Sequence, residues 1–256
     1  MESVPFEKIE GLSLPLLRGE DHPCAYLPDR TASALYWLGG AVSGASYQQL
    51  MDLGFRRSGD VIYRPSCRGC RSCVALRVPV DAFLPTRSQR RALRRNADIR
   101  LEVGAPRLDE QRFALFQRYL QSQHDGEMIQ TRDGYEQFLV RGFADTLEMA
   151  YWLEGRLVSV GIVDPTPKSL SSVYFYFDPE MRSRSLGVYS VLKEIEFCRQ
   201  HALPYWYAGF YVADCRKMAY KRQFGPNEYL HPDGVWRAEV PKHDRGPDLE
   251  EACRKN

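Results

Sequence analysis

The spacing of hydrophobic and polar positions divides the chain into two stretches of different character. Up to Gly104-Ala105-Pro106 the apolar runs are short and turn residues frequent. Residues 25–38 mix β-formers with turn formers, 46–53 suits a short helix, and 61–63 and 74–80 read as strands. Residues 88–96 are rich in arginine and lack glycine and proline, which predicts a short basic helix. Beyond the break the periods are clearer. Phe113, Phe116, Tyr119 and Leu120 fall on one helical face. Leu147, Met149, Tyr151 and Leu153 alternate with polar or small neighbours, and Glu154-Gly155-Arg156 turns the chain into a strand at 157–163. A third strand spans 170–177. Val188, Val191, Leu192 and Ile195 then mark an amphipathic helix, followed by an aromatic strand at 205–211 and a helix at 216–224.

This pattern predicts an α+β protein. A small N-terminal domain rich in cysteine and arginine covers 1–105, a larger domain covers 106–240, and a polar, mobile tail covers 241–256. The order of the larger domain is three antiparallel strands, a loop, a helix, a strand and a helix. It resembles the GCN5-related N-acetyltransferases, in which the strands before and after the main helix splay apart around the acyl donor. Fold alone does not assign chemistry.

Composition changes the picture only through its distribution. The formal charge of the 256-residue chain is +2, yet residues 56–100 hold twelve arginines against Asp60, Asp81 and Asp98. That block therefore carries +9 and the remainder −7. Such asymmetry points to a polyanionic partner for the first half. With Glu2, Glu7, Lys8 and Glu10 and no apolar run behind a basic start, no secretory signal is expected, and the uncharged stretch 31–51 is too polar to span a membrane. A cytoplasmic protein with no membrane partner is expected, in which the seven cysteines form no structural disulfides.

Four features could carry chemistry. Cys67, Cys70 and Cys73, with Cys24 as a remote fourth ligand, have the spacing of a structural zinc site or an iron–sulfur cluster; three partly buried thiols without metal are the alternative. Arg87, Arg90, Arg91, Arg94 and Arg95 include no acidic residue among them, which suits phosphate oxygens better than an ordinary solvated face. Arg184, Ser185, Leu186 and Gly187 stand at a helix start, either as an anion site for a phosphodiester or as a Ser185 cap. Finally, Tyr205, Tyr207 and Tyr211 share one side of a strand with Gly209, where a substrate backbone could approach, and Lys217, Lys221 and Arg222 follow as cations able to grip a carboxylate.

The residues Gly54-Phe-Arg-Arg-Ser-Gly59, Tyr63-Arg-Pro-Ser-Cys67, Ser88-Gln-Arg-Arg91 and Asn96 resemble the N-terminal region of arginyl-tRNA–protein transferases. Ser185-Leu-Gly187, the aromatic strand and Cys215-Arg-Lys-Met218 with Tyr220, Lys221 and Phe224 resemble their C-terminal region. The compact length is similar to the bacterial branch. That branch is implied to move leucine from leucyl-tRNA to proteins starting with Asp or Glu, marking them for degradation. In this reading the arginine block binds tRNA, the 184–187 turn binds the aminoacyl 3′ end, Lys217, Lys221 and Arg222 hold the acceptor carboxylate, and Tyr207 or Asp214 relays the proton. An ester donor is already activated, so the reaction needs no cofactor. Eukaryotic members hold iron–sulfur on a different cysteine arrangement, since Cys24 here stands alone. Arginine as the donor, a coenzyme A-dependent acetyltransferase and a non-catalytic, zinc-ribbon-like RNA-binding protein are the competing readings.

Overall fold

A computed structural model describes residues 3–9, 12–37, 42–123, 131–142 and 145–241. Most of the tail expected at 241–256 lies outside these. The strands are β1 (Ser3–Ile9), β2 (Leu12–Arg18), β3 (His22–Pro23), β4 (Thr31–Ala32), β5 (Ala34–Trp37), β6 (Arg56–Ser58), β7 (Val61–Pro65) and β8 (Val74–Pro79). They continue as β9 (Arg100–Gly104), β10 (Leu147–Leu153), β11 (Arg156–Thr166), β12 (Ser169–Phe177), β13 (Tyr205–Tyr211), β14 (Glu228–Leu230) and β15 (Trp236–Arg237). The helices are α1 (Gly44–Asp52), α2 (Arg87–Arg95), α3 (Glu110–Gln123), α4 (Arg132–Tyr135), α5 (Leu186–Gln200) and α6 (Arg216–Ala219).

Local chemistry sets several boundaries. The side chain of Ser43 accepts from Ser46 N to start α1, and Thr86 with Gln89 forms a reciprocal capping box on α2. Glu154 and Gly155 both take positive φ, 49° and 78°, which is the turn a tight antiparallel hairpin needs between β10 and β11. The helix expected at 216–224 ends early: α6 passes into a 3-10 turn over Tyr220–Phe224.

Two large sheets result. Five strands run in the order β1-β2-β5-β7-β6, and eight in the order β15-β14-β8-β13-β12-β11-β10-β9. The larger sheet takes β8 and β9 from the stretch before residue 105, so its hydrogen bonds cross the boundary expected there. One face of it packs on α5 through Leu76, Val78, Trp206, Leu192 and Ile195. The opposite face meets α3 through Phe116 and Tyr176 near β10–β12, and the core of the small sheet through Tyr207 near β13.

The two sheets are joined by a buried ion pair. Arg57 on β6 donates Nε to Asp164 Oδ2 at 2.5 Å and Nη2 to Oδ1 at 2.8 Å, and both side chains are 0% exposed. Thr146 and the carbonyl of Gly59 take up remaining valences. Removing one partner leaves the other charged in a dry interior. Arg57→Met is therefore expected to lower unfolding free energy by about 3–5 kcal/mol, read from the urea midpoint at constant m-value; a loss below 1 kcal/mol would show that the pair does not hold the sheets together.

Candidate active site

The larger sheet is open at one place. β12 and β13 run parallel and pair at only three positions, Ser169↔Tyr205, Leu170↔Trp206 and Ser171↔Tyr207. Immediately beyond, each strand carries an extra residue against its other neighbour: Val173 of β12 against β11, and Ala208 of β13 against β8. A bulge bends its strand and increases local twist, so the two diverge. The edges facing the gap, roughly 172–177 and 208–211, keep peptide groups with no ladder partner across it. Such groups can receive an extended substrate or a developing oxyanion.

Beneath the gap, α5 is tied to the sheet by a chain of buried polar groups. Tyr151 donates to Ser190 at 3.1 Å, Ser190 to Glu194 at 3.0 Å, and Trp206 Nε1 to the other oxygen of Glu194 at 2.8 Å. Burial raises the pKa of the Glu194 carboxyl, and these donors oppose the shift.

The start of α5 follows β12 through a 3-10 turn, Pro179–Arg184. Ser185 adopts the left-handed conformation (φ 57°, ψ 47°), and its side chain makes no cap. The capping alternative for Ser185 is thus not realised. The first amides of any helix lack intrahelical acceptors, and those of Leu186 and Gly187 occupy that position here. A side chain at Gly187 would meet Phe175 at an ordinary 3.7 Å, so space does not require the glycine. Arg184 is already committed to Asp98 through bonds of 2.8 and 2.9 Å.

Helix α2 lies across both lips of this site. Gln89 Nε2 reaches the carbonyl of Gln223 at 3.0 Å, while Asn96 Nδ2 reaches the carbonyl of Arg184 at 2.9 Å and Arg95 bonds that of Ser183. All five predicted arginines of the helix are exposed. Arg90 bonds the Pro85 carbonyl at 2.6 Å. Arg87, Arg91 and Arg94 have no carboxylate partner among the described residues.

The aromatic strand behaves differently from its alternation. The bulge at Ala208 reverses the faces, so Tyr205, Tyr207 and Phe210 meet the small domain while Trp206, Ala208 and Tyr211 pack on the other side. Tyr211 therefore does not share a face with Tyr207. The phenol of Tyr207 is buried, donates to Asp52, and accepts from Arg77 Nη1 at 3.2 Å and Gln48 Nε2 at 3.4 Å. Burial, then the Asp52 charge, raises its pKa well above the usual phenol range. A phenol so held keeps its own proton at rest and ties α1 to β13, with Asp52 as its acceptor. Asp214 is exposed in the turn after β13.

Of the three expected carboxylate-binding cations, Lys217 and Arg222 are exposed and Lys221 folds inward. Its Nζ donates to the Phe210 carbonyl at 2.8 Å and meets Met218 Sδ at 3.7 Å. Gly209 (φ 83°) lies beside it, and a Cβ there would stand 3.6 Å from Nζ. Burial first, and then Arg56, push the Lys221 pKa down to about 8.

The four predicted cysteines gather around Cys73, joined by Cys215, which the spacing in sequence did not include. Burial and the other four thiols push the Cys73 pKa up to about 12. The sulfurs nevertheless have separate partners: Cys67 with the backbone of Ser33, Cys24 with Tyr26 N, and Cys70 with Ser72. Among the described residues no three of His, Cys, Asp or Glu are arranged to hold a metal ion. Thiols suit zinc or iron–sulfur chemically, and Cys24, Cys67, Cys70 and Cys73 are the residues that would hold either group.

Three further residues surround Tyr207 that no sequence signal singles out as functional: Arg56, Asp52 and Arg77. Of these, Arg56 is visible only as part of the Gly54–Gly59 motif.

Comparison with known proteins gives a consistent picture. The model of "Arginine-tRNA-protein transferase, N terminus" matches residues 22–91, and that of the corresponding C terminus matches 111–231. A protein of Hahella chejuensis named aspartate/glutamate leucyltransferase is 39% identical over 83% of this chain and 92% of its own. Proteins of the same name from Alcanivorax borkumensis and Marinobacter nauticus are 39% and 41% identical, covering 91% and 84% of this chain and 98% and 92% of theirs. The crystal structure of FemX covers 82% of this chain and 84% of its own at 9% identity and a TM-score of 0.46.

The depressed Lys221 pKa has a measurable sign. The folded state gives up this proton near pH 8, whereas the unfolded chain holds it to about its ordinary value of 10.5. Below pH 8 the cost of burying the ammonium is fully present, and it is relieved as pH rises through that window. Lys221→Met is accordingly expected to be more stable than wild type at pH 7 and to lose that advantage by about pH 10.5. Parallel urea titrations across this range test it; a constant difference would refute the assignment.

Proposed function

The chain belongs to the arginine-tRNA-protein transferase family, and we propose that it moves leucine from leucyl-tRNA onto the N-terminal α-amine of proteins that begin with Asp or Glu. The observation that carries this reading is the parting of β12 and β13 directly beside the arginine-faced helix α2. It combines a sheet opening suited to an acyl group with a surface suited to the phosphates attached to that group. The second, larger part of the chain is on this reading an N-acetyltransferase-like fold, with β12 and β13 as the splayed pair. The first part supplies the cysteines and arginines. The leucine added marks the product for N-degron-dependent proteolysis in the cytoplasm.

The chemistry asks for positioning more than for activation. The acyl donor is an ester, and the α-amine has a pKa near 7.7–8.0, so a useful fraction is neutral at pH 7. The amine nitrogen bonds to the carbonyl carbon, the ester C–O bond breaks, the nitrogen loses a proton and the ribose oxygen gains one. Unpaired amides along the gap stabilise the oxyanion between these steps. Holding both reactants in line supplies up to ~7–11 kcal/mol in well-oriented cases. Neither ATP nor a metal is required by this balance. Arg87, Arg91 and Arg94 bind tRNA phosphates, and the amides of Leu186 and Gly187 receive the 3′ end. Lys221 takes the acceptor's carboxylate, and the exposed Lys217 and Arg222 attract acidic N-termini from solution.

Incubation with peptides starting Asp, Glu, Gln or Ala and with leucyl- or arginyl-tRNA tests the reading by mass spectrometry. Leucine is expected on the Asp and Glu peptides, with Gln and Ala far poorer acceptors. Arginine transfer in its place would reassign the donor, and no transfer from either would reject the activity. Reversing Arg87, Arg91 and Arg94 to Glu is expected to raise the KM for leucyl-tRNA steeply. Its salt dependence should flatten by roughly 0.7–0.9 in log–log slope for each phosphate that is no longer neutralised. An unchanged slope would remove tRNA from α2.

A further inference from the structure

Neighbouring arginines on β6 have opposite electrostatic situations. Arg57 is matched by Asp164, whereas Arg56, 4% exposed, has no ion pair among the described residues. Its Nη1 donates to two neutral carbonyls, Phe55 at 2.5 Å and Met51 at 3.2 Å. Its buried Nε and Nη2 have no hydrogen-bond partner among the described residues. The guanidinium lies over the rings of Tyr207 (4.9 Å) and Phe210 (5.8 Å), which lessen the cost of its burial; the Asp52 carboxylate favours its charged form from a distance but forms no ion pair with it among the described residues. A buried charge left in this state normally implies a counter-charge that arrives later.

A second unmatched cation stands at the backbone of Phe210. Lys221 Nζ sits on the Phe210 carbonyl, and no carboxylate pairs with it among the described residues. The charged and titratable groups that act on it are Arg56, Cys73 and Cys215; the arginine disfavours its protonation and the thiols oppose that. Gly209 leaves the space next to Nζ open at the rim of the gap.

We propose that Arg56 and Lys221 form a paired-cation site for the side-chain carboxylate of the acceptor's first residue, in which Lys221 touches the carboxylate and Arg56 is a positioning residue acting through the field behind it. The inference rests on the transfer reading above and adds to it the origin of the choice of acid over amide. Only a full negative charge offsets two cations in a low-dielectric setting; Asn or Gln presents a dipole. The carboxyl carbon of Asp or Glu is separated from the α-amine by two or three carbons. A side chain anchored beside Gly209 therefore holds the amine at the mouth of the gap, where the acyl carbon would lie. Occupation by a carboxylate also restores Lys221 to full protonation, so acceptor affinity weakens as pH rises past Lys221's titration.

Arg56→Met keeps an unbranched side chain between the two rings and removes the charge. In the full-length protein with saturating leucyl-tRNA, the KM for Asp and Glu peptides is expected to rise on the order of tenfold, with kcat and the KM for a Gln peptide little changed. The alkaline rise in KM for the Asp peptide should also move above its wild-type position, because Lys221 has lost the neighbour that depressed its pKa. A purely structural role would move kcat and all acceptors together and leave that limb in place; this result would overturn the proposal. If Arg56→Met does not fold, Lys221→Gln provides the second measurement: loss of the preference for Asp over Gln supports the site, and a retained preference refutes it. Wild-type protein that transfers no leucine at all would overturn the function itself, which keeps the two failures distinct.

Discussion

The bond between Arg57 and Asp164 determines how the two sheets meet. Both groups are removed from water, and each is stable as an ion only because the other, with Thr146 and the Gly59 carbonyl, replaces its hydration. This fixes β6 against β11 in one register. Successive residues of a strand project to opposite sides, so fixing Arg57 also fixes Arg56 against the rings of β13. Asp52, at the end of α1, is positioned by the same docking and meets Tyr207 and Arg77. The back wall of the site is thus a consequence of how the small sheet is attached.

The front of the site follows from two interruptions in hydrogen bonding. A continuous parallel pair between β12 and β13 would satisfy every peptide group and leave no opening. One extra residue in each strand, Val173 and Ala208, ends the pairing after Ser171↔Tyr207. The cost of unpaired peptide groups is offset elsewhere. The Tyr151–Ser190–Glu194–Trp206 chain clamps α5 under the strands, so the gap stays open without loosening the core. Helix α2 is bonded to the turn before α5 at one end and to the 220–224 segment at the other. Its exposed arginines are thereby held beside the opening.

Much of this was legible in sequence where the signal is local. The amphipathic helices, the Glu154-Gly155 turn, the aromatic strand and the capped arginine helix all formed where period and turn chemistry placed them. The bulge at Ala208 was not legible, because alternation alone assigns Tyr211 to the face of Tyr207. The strands Arg100–Gly104, Glu228–Leu230 and Trp236–Arg237 were also missed. They are short edge or near-edge elements whose pairing depends on partners remote in the chain. The surroundings of Tyr207 were not legible for a related reason: a tyrosine's availability for proton transfer depends on its burial and neighbours, here Asp52, Arg77 and Gln48.

Sequence by itself determined the charge asymmetry, the element types and, through separated motifs in order, the family and its chemistry of acyl transfer. These depend on residue identity and on spacings within one element. Tertiary structure alone decided which cations are matched and which are not. Arg56 and Arg57 are identical and adjacent, yet one meets Asp164 and the other only carbonyls and rings. Lys217 and Lys221 likewise differ only in what surrounds them. The energy of a charge is set by solvent exclusion and by the nearest opposite charge, and both are fixed by contacts between segments remote from each other in the chain.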